Sequence, residues 1–567
     1  MGSHAKPGGG EALRSAAPAR WVSPGRASAW ALIMGSLVAT GAAAGQTTLP
    51  HLERRGNVTQ LIVDGRPFLA LAGELYNNSA TSLEYMQPVW PRLSTMHLNT
   101  VLAAVSWAQF EPAEGRFDYT VVDGLVRDAR AHSLHLVLLW FGSWKNTWSS
   151  YAPDWVKRDF ERFPRAQLAN GSGTERLSPF GAANRDADAR ALAALMRRIR
   201  EIDADQHTVI MIQVENEVGV IPDARDHSPA ANAAYEQPVP TELMSYLGQR
   251  KETLAPELRA MWQAAGFKTS GNWETVFGPG PETEDLFMAW HYARYIGRVA
   301  EAGKAEYPLP MYANAALIRP SYAPGQYNSG GPLPHSMDIW RAGAPQLDFL
   351  APDIYFEFKD WCAKYDRSGN PLFIPEAAGG AMGAANVFYA VGQHSALGFS
   401  PFGIDGGAGA DDELARSYDV LSQLAPLILE NQPRGRVAGV LLEDLTPSQR
   451  IRLGDYTLSV SGGGVRRGGP AAAPSEAPAA PAPHGIFIAT GPDEFFMAGS
   501  GLTVTFSPNT PGPPIVGLGT VEEGRFADGR WVHGRTLAGD DTGQGNNISL
   551  RGGRGPGILR VTVYRYR

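Results

Sequence analysis

Residues 208–219 read TVIMIQVENEVG. Six of the first seven are apolar or β-branched, the pattern of a strand buried on both faces, and the run then ends in Glu215, Asn216 and Glu217. Strands buried on both faces belong to parallel sheets. In such sheets the polar residues that build a site gather at the strands' C-terminal ends.

Working outward, seven more runs share this character: PFLALAGELY (67–76), LNTVLAAVSW (98–107), HLVLLWFGSW (135–144), PLPMYANAAL (308–317), LDFLAPDIY (347–355), PLFIPEA (371–377) and LGFSPFGID (397–405). Between them lie segments such as YTVVDGLVRDARAHS and ANRDADARALAALMRRIREID, with apolar residues every three or four positions and charges on the other face. Eight buried strands alternating with amphipathic helices predict an α/β fold, a (β/α)8 TIM barrel over residues 45–425. The competing doubly wound sheet lacks its Gly-rich dinucleotide fingerprint after the first strand.

After residue 425 the pattern changes to short alternating runs, among them RVAGVLLED, YTLSVSG, GIFIATG, LTVTFS and ILRVTVYRYR, separated by Gly, Pro and Asp. This predicts a C-terminal all-β, sandwich-like domain over residues 426–567. Its Pro/Ala/Gly-rich stretch at 463–485 cannot bury enough surface to fold and is expected to be a disordered loop. At the other end, Arg14, Arg20 and Arg26 precede the apolar run ASAWALIMGSLVA, and Ala42-Ala43-Ala44 offers a small-residue cleavage site. Residues 1–44 are therefore expected to be a signal peptide. The mature chain would be periplasmic or secreted, with no membrane contact once the signal is cleaved.

The composition narrows the chemistry. A formal net charge of −7, with no basic run carrying interleaved aromatics, argues against nucleic acid as a partner. The single cysteine, Cys362, rules out a Cys-based zinc site, and no His cluster has ligand spacing. Neither a metal nor a cofactor is expected.

Glu217 ends the fourth run and Glu376 the seventh. A closed barrel brings these two strand ends to one mouth, and two carboxyl groups flanking one bond are the machinery of glycosidic cleavage. Glu217, nearer the open end, is the expected acid and Glu376 its partner. Glu215, two positions from Glu217, is expected on the same side of the strand as a buried, hydrogen-bonded support. Trp107, Trp140, Trp144 and Trp148 lie at or just beyond the ends of the second and third runs, where indole faces can stack on sugar rings.

These motifs also carry a resemblance. IQVENEVG resembles the QVENE signature of glycoside hydrolase family 35, the β-galactosidases, and VSWAQFEPAEGRFD resembles the W-x-x-x-E-P-x-x-G-x-F-D segment shared by families 35 and 42. The resemblance covers roughly residues 60–405. It implies a retaining, exo-acting β-galactosidase working by double displacement on oligosaccharides, with Glu217 as acid/base, Glu376 as nucleophile and Asn216 on the sugar 2-hydroxyl. By the same resemblance Tyr76 and Asn77, in GELYNNS, are sugar contacts, and Tyr355 is a partner of the nucleophile. Trp107 and Asn146 complete the expected substrate-binding set, and Phe402 and Asp405 are candidates to line the site.

Two departures leave alternatives open. Lys145 and Asn146 stand where many family 35 members have Ala-Glu, and the separation of Glu217 from Glu376 is nearer that of family 42. A β-glycosidase for an arabinoside, fucoside or mannoside, or a catalytically silent sugar-binding barrel, would share the remaining features. A homo-oligomer is compatible with the sequence.

Overall fold

The computed structural model describes residues 48–367, 369–406, 412–443, 448–462, 481–550 and 556–567. The expected signal peptide, 1–44, lies outside them, as does the 463–480 part of the expected loop. The eight apolar runs all form strands: β1 (Ala70–Glu74), β2 (Thr100–Ser106), β3 (His135–Lys145), β4 (Val209–Asn216), β5 (Met311–Ala316), β6 (Phe349–Ile354), β7 (Ile374–Ala377) and β8 (Gly398–Pro401). They close into a parallel barrel in which β8 pairs with β1 and β4 with β5. A three-stranded sheet over residues 51–68 precedes it.

Two-residue alternation divides the strand side chains into two cores. Ala70, Ala72, Leu102, Ala104, Phe141 and Tyr312 are among those that fill the lumen. Leu69, Leu71, Val101, Ala103 and Leu138 face outward, against the helix layer. That layer includes α1 (Thr120–Ala131), α2 (Ala182–Asp203), α3 (Pro281–Glu306), α4 (Gly380–His394) and α5 (Glu413–Asn431). In α2 the buried face is Ala187, Ala191, Leu192, Leu195, Met196 and Ile199, at helical spacing. Each large apolar side chain buried this way contributes about 1.5–3 kcal/mol. The lumen is thus packed with apolar side chains below and ends in polar ones above.

The expected domain boundary at 425/426 falls inside α5. That helix is capped by Asp412, whose carboxylate accepts from the Leu414 N–H at 2.7 Å, and it runs on to Asn431. The β region instead begins at β9 (Val437–Leu441) and continues through β10 (Ser448–Leu453), β11 (Tyr456–Gly462), β12 (His484–Ala489), β13 (Glu494–Ser500), β14 (Leu502–Pro508), β15 (Ile515–Ala527), β16 (Arg530–Thr536), β17 (Ile548–Leu550) and β18 (Gly557–Tyr566). The expected loop therefore gives way to strand at His484. A six-stranded sheet, β9-β12-β13-β18-β15-β16, faces a four-stranded one, β10-β11-β14-β17, over a core that includes Leu458, Phe487, Phe495 and Val504. The outer side of the larger sheet lies on the barrel, where Ile486, Ile488, Phe496 and Ile558 join the helix-layer core. A Cβ on Gly392 of α4 would come 2.6 Å from the Cα of Gly439 in β9, so this helix and strand pack backbone to backbone.

Candidate active site

Strand alternation and two local departures from it decide which side chains reach the barrel mouth. The first departure lies in β3. Trp140 pairs with Val214 and Lys145 with Asn216, so β3 bulges between those positions. The bulge turns Ser143 and Trp144 outward and brings Lys145 in, where its ammonium donates to Asn216 Oδ1 at 3.0 Å. The second lies at the end of β4, where Glu215 (φ 62°) and Glu217 (φ 45°) both take the left-handed conformation. That conformation is costly for residues with a Cβ and persists only where the surroundings hold it.

The twist overturns the expectation that Glu215 and Glu217 share a side. Glu215 points out to the helix layer, where its Oε2 accepts the Trp144 N–H at 2.7 Å and its carboxyl hydrogen-bonds Asp188 of α2. Burial, then the charge of Asp188, pushes Glu215 well above the ordinary range, which favours the neutral form beside Asp188. Asp188 also accepts from Trp140 Nε1 at 2.8 Å and Ser143 Oγ at 2.6 Å. As expected, Glu215 is a buried support, but it acts from behind the strand.

Glu217 turns into the mouth. Its N–H donates to Asn314 Oδ1 at 3.0 Å, and its carbonyl accepts from Asn328 Nδ2 at 2.9 Å and from the Thr147 N–H at 3.2 Å. Across from it stands Glu376, 8% exposed, and one carboxylate oxygen from each of Glu217, Asp353 and Glu376 lies within 4.8 Å of the other two. The Tyr355 hydroxyl donates to Glu376 Oε1 at 2.6 Å. Burial, then the charge of Glu217, pushes Glu376 up to about 7, against the opposing pulls of Lys145 and the Tyr355 hydroxyl.

The remaining expected contacts divide. Tyr76 stands on the rim, half exposed, packed edge-on against Phe402 with ring centroids 5.3 Å apart. Asn77 follows it with a buried, unpartnered Oδ1. Asn146 is exposed; what it supplies is an N–H to the Asn216 carbonyl at 3.2 Å. Asp405 ties down the β1 loop, accepting from the Tyr76 N–H at 2.9 Å and Ser79 Oγ at 2.5 Å, and so clamps the rim.

Trp107 is a correction. It is 0% exposed, its Nε1 donates to Glu111 Oε2 at 2.7 Å, and its ring packs in the helix-layer core. Ser106 ends β2 and Trp107 opens a short helix, which carries the indole back under the barrel wall. Glu111 also accepts the Gly115 N–H at 2.7 Å, so the W-x-x-x-E-P-x-x-G segment is a structural clamp. Trp140 and Trp144 are equally buried; only Trp148 of the four indoles, 45% exposed and stacked on Arg176 at 4.0 Å, offers a face.

Three polar residues that sequence reasoning passed over complete the mouth: Glu74 at the end of β1, Asn314 on β5 and Asp353 on β6. Asn314 Nδ2 donates to Asp353 Oδ2 at 2.7 Å, which joins the Glu217 backbone to β6. Burial, then the charges of Glu376 and Glu217, pushes Asp353 well above the usual range, and it hydrogen-bonds Glu217. Three carboxyl groups so close also resemble the donor set of a hard cation. The signal for these residues was available: each is a polar side chain near the C-terminal end of a barrel strand.

Comparison with known proteins gives two family models. The Glyco_hydro_42 model, described as beta-galactosidase, matches residues 76–359. A domain of unknown function, DUF5597, matches residues 414–549 and so takes in α5 together with most of the β region. The family 42 match corrects the expected membership of family 35. No curated protein matches the sequence. Among solved structures, the cold-adapted beta-galactosidase of Rahnella sp. R3 has a TM-score of 0.42 and 17% identity, covering 63% of this chain and 56% of that one. The beta-galactosidase of Bacillus circulans sp. alkalophilus has a TM-score of 0.43 and 15% identity, covering 64% and 57%. The catalytic domain of a beta-amylase from Paenibacillus polymyxa has a TM-score of 0.45 and 12% identity, covering 62% and 98%. The chain spans a little over half the length of the two beta-galactosidases.

Proposed function

Since the chain belongs to the Glyco_hydro_42 beta-galactosidase family, we propose that it is a retaining, exo-acting glycoside hydrolase that removes terminal β-galactose from oligosaccharides. The observation that carries this reading is the meeting of Glu217 and Glu376 oxygens within 4.8 Å. Retaining enzymes hold their carboxyls ~5 to 5.5 Å apart, whereas inverting ones leave ~6.5 to 9.5 Å for a water.

In this mechanism Glu376 attacks the anomeric carbon while Glu217 gives its proton to the departing oxygen. Glu217 then takes a proton from the water that releases the sugar. The Tyr355 hydroxyl and Lys145 favour the ionised, attacking form of Glu376. The N-terminal Arg and apolar pattern supports export, which cell fractionation would test.

Replacing Glu376 by Ala should abolish hydrolysis of an aryl β-galactoside, and azide should restore turnover to the azide of opposite anomeric configuration. Undiminished hydrolysis would refute the assignment. A second reading, a retaining β-glycosidase for another sugar, is favoured by Asn146, which follows Lys145 where many family 35 members have the Glu of Ala-Glu. A panel of aryl galactosides, arabinosides, fucosides and mannosides separates the two.

A further inference from the structure

Glu74 is the last residue of β1, and the strand's alternation fixes its direction. Ala70 and Ala72 lie in the lumen, Leu69 and Leu71 in the helix-layer core. Gly73 lies on the outer side, where a Cβ would meet Ile404 at 2.6 Å and Leu98 at 2.8 Å. Glu74 therefore projects into the hollow above the apolar floor, only 2% exposed.

A buried carboxyl normally spends its oxygens on protein donors. Among the described residues, this one forms no hydrogen bond; what surrounds it are the charges of Glu376, Lys145 and Glu217. It is not alone in this. Asn216 Nδ2, Glu376 Oε2 and Ser400 Oγ are buried without partners. Strand ends on several walls thus hold unused hydrogen-bonding capacity above one floor, which a ligand rich in hydroxyls would satisfy.

We propose, resting on the glycosidase reading above, that Glu74 binds the 3- or 4-hydroxyl of the reacting sugar and so helps decide which epimer the site accepts. The orientation follows from the walls. With the anomeric carbon over Glu376 on β7 and the 2-hydroxyl at Asn216 on β4, positions 3 and 4 are left to the side formed by β1, β2 and β3. Burial, then the charge of Glu376, pushes Glu74 well above the ordinary range, which favours the protonated form, a donor as well as an acceptor. A donor that the sugar leaves unmet is costly in such a place, which is the physical source of discrimination.

The test uses the full-length protein with an aryl β-galactoside and its 3-deoxy and 4-deoxy analogues, comparing wild type with Glu74→Ala and Glu74→Gln. On the parent substrate kcat/KM should fall about 100-fold or more in Glu74→Ala, and less in Glu74→Gln, which keeps the shape and a donor. With the analogue that lacks the contacted hydroxyl, wild type and both variants should agree within about threefold. Should Glu74→Ala fail to fold, Glu74→Gln alone carries the comparison. Equal losses on all three substrates, or no loss, would overturn the proposal while leaving the glycosidase reading intact. A wild type that cleaves no aryl glycoside at all overturns both.

Discussion

Replacing Glu217 by Gln should do more than remove a proton donor: it should change the ionisation of Glu376. Burial and the facing Glu217 raise Glu376 to about 7, against ~4.3 for a solvated glutamate. Two unit charges at the 4.8 Å limit of their oxygens repel by about 3.5 kcal/mol at an effective dielectric constant near 20, or ~2.5 pKa units. Glu217 is partly exposed, and solvent screening reduces this figure. Burial, the larger cause, stays in the variant, so the expected fall is about one to two units. Glu376 attacks only as a carboxylate, so its ionisation sets the acid limb when the leaving group needs no protonation. The assay is kcat/KM for a dinitrophenyl β-galactoside from about pH 4 to pH 9. Wild type should lose activity as pH falls through about 7, and Glu217→Gln should hold it to lower pH. An acid limb that moves by less than about 0.3 unit in the variant would refute the coupling, and with it the facing geometry.

Three further outcomes follow from the same contacts. Tyr355→Phe removes the 2.6 Å hydrogen bond that favours ionised Glu376; the acid limb should rise and kcat/KM fall about 10- to 100-fold, read from the same pH series. Glu376→Gln should stabilise the fold at alkaline pH. A carboxyl whose folded pKa lies above its unfolded one contributes stability below the unfolded value and loses it as pH rises through the folded value. From about 4.5 to about 7 that amounts to roughly 3 kcal/mol. Denaturant unfolding at pH 8 should therefore favour the variant, with the advantage gone by about pH 4, and a pH-independent difference would contradict it. Trp107→Phe should lower stability by about 1–3 kcal/mol, through the unpaired Glu111 and a smaller ring in the core, and leave KM unchanged. A raised KM at unchanged stability would return Trp107 to the substrate site.

The barrel was legible because a strand buried on both faces writes a continuous apolar run, and eight such runs have few ways to bury themselves. Glu217 and Glu376 were legible for the complementary reason: a carboxylate ending a core strand is costly unless it has a task. Glu74 and Asp353 end strands in the same way, but they sit in the runs GELY and PDIY, where one polar residue among apolar neighbours reads as the onset of a loop. Trp107 misled because its position in the chain, just past a strand end, resembles that of a rim residue. Its direction was set by the helix that begins there, and by Glu111, which holds the indole from inside the wall. The boundary at 425/426 failed because α5 carries Pro426 within an otherwise helical stretch, and the change of pattern was read at that point.

Glu215 shows where period-two reasoning reaches its limit, and why the motif around it has the composition it has. Alternation would put Glu215 and Glu217 on one side, but φ is positive at both, at a cost of roughly 1–2 kcal/mol each for residues with a Cβ. The compensation comes from the motif's own neighbours. Gln213 Nε2 donates to the Glu215 carbonyl at 3.1 Å. The Glu215 carboxyl is tied to the Trp144 N–H and Asp188 behind the strand. Asn216 takes the Lys145 ammonium. Asn314, Asn328 and Thr147 hold the Glu217 backbone. Three of the four polar residues of QVENE thus hold the turn that aims the fourth across the barrel mouth at Glu376.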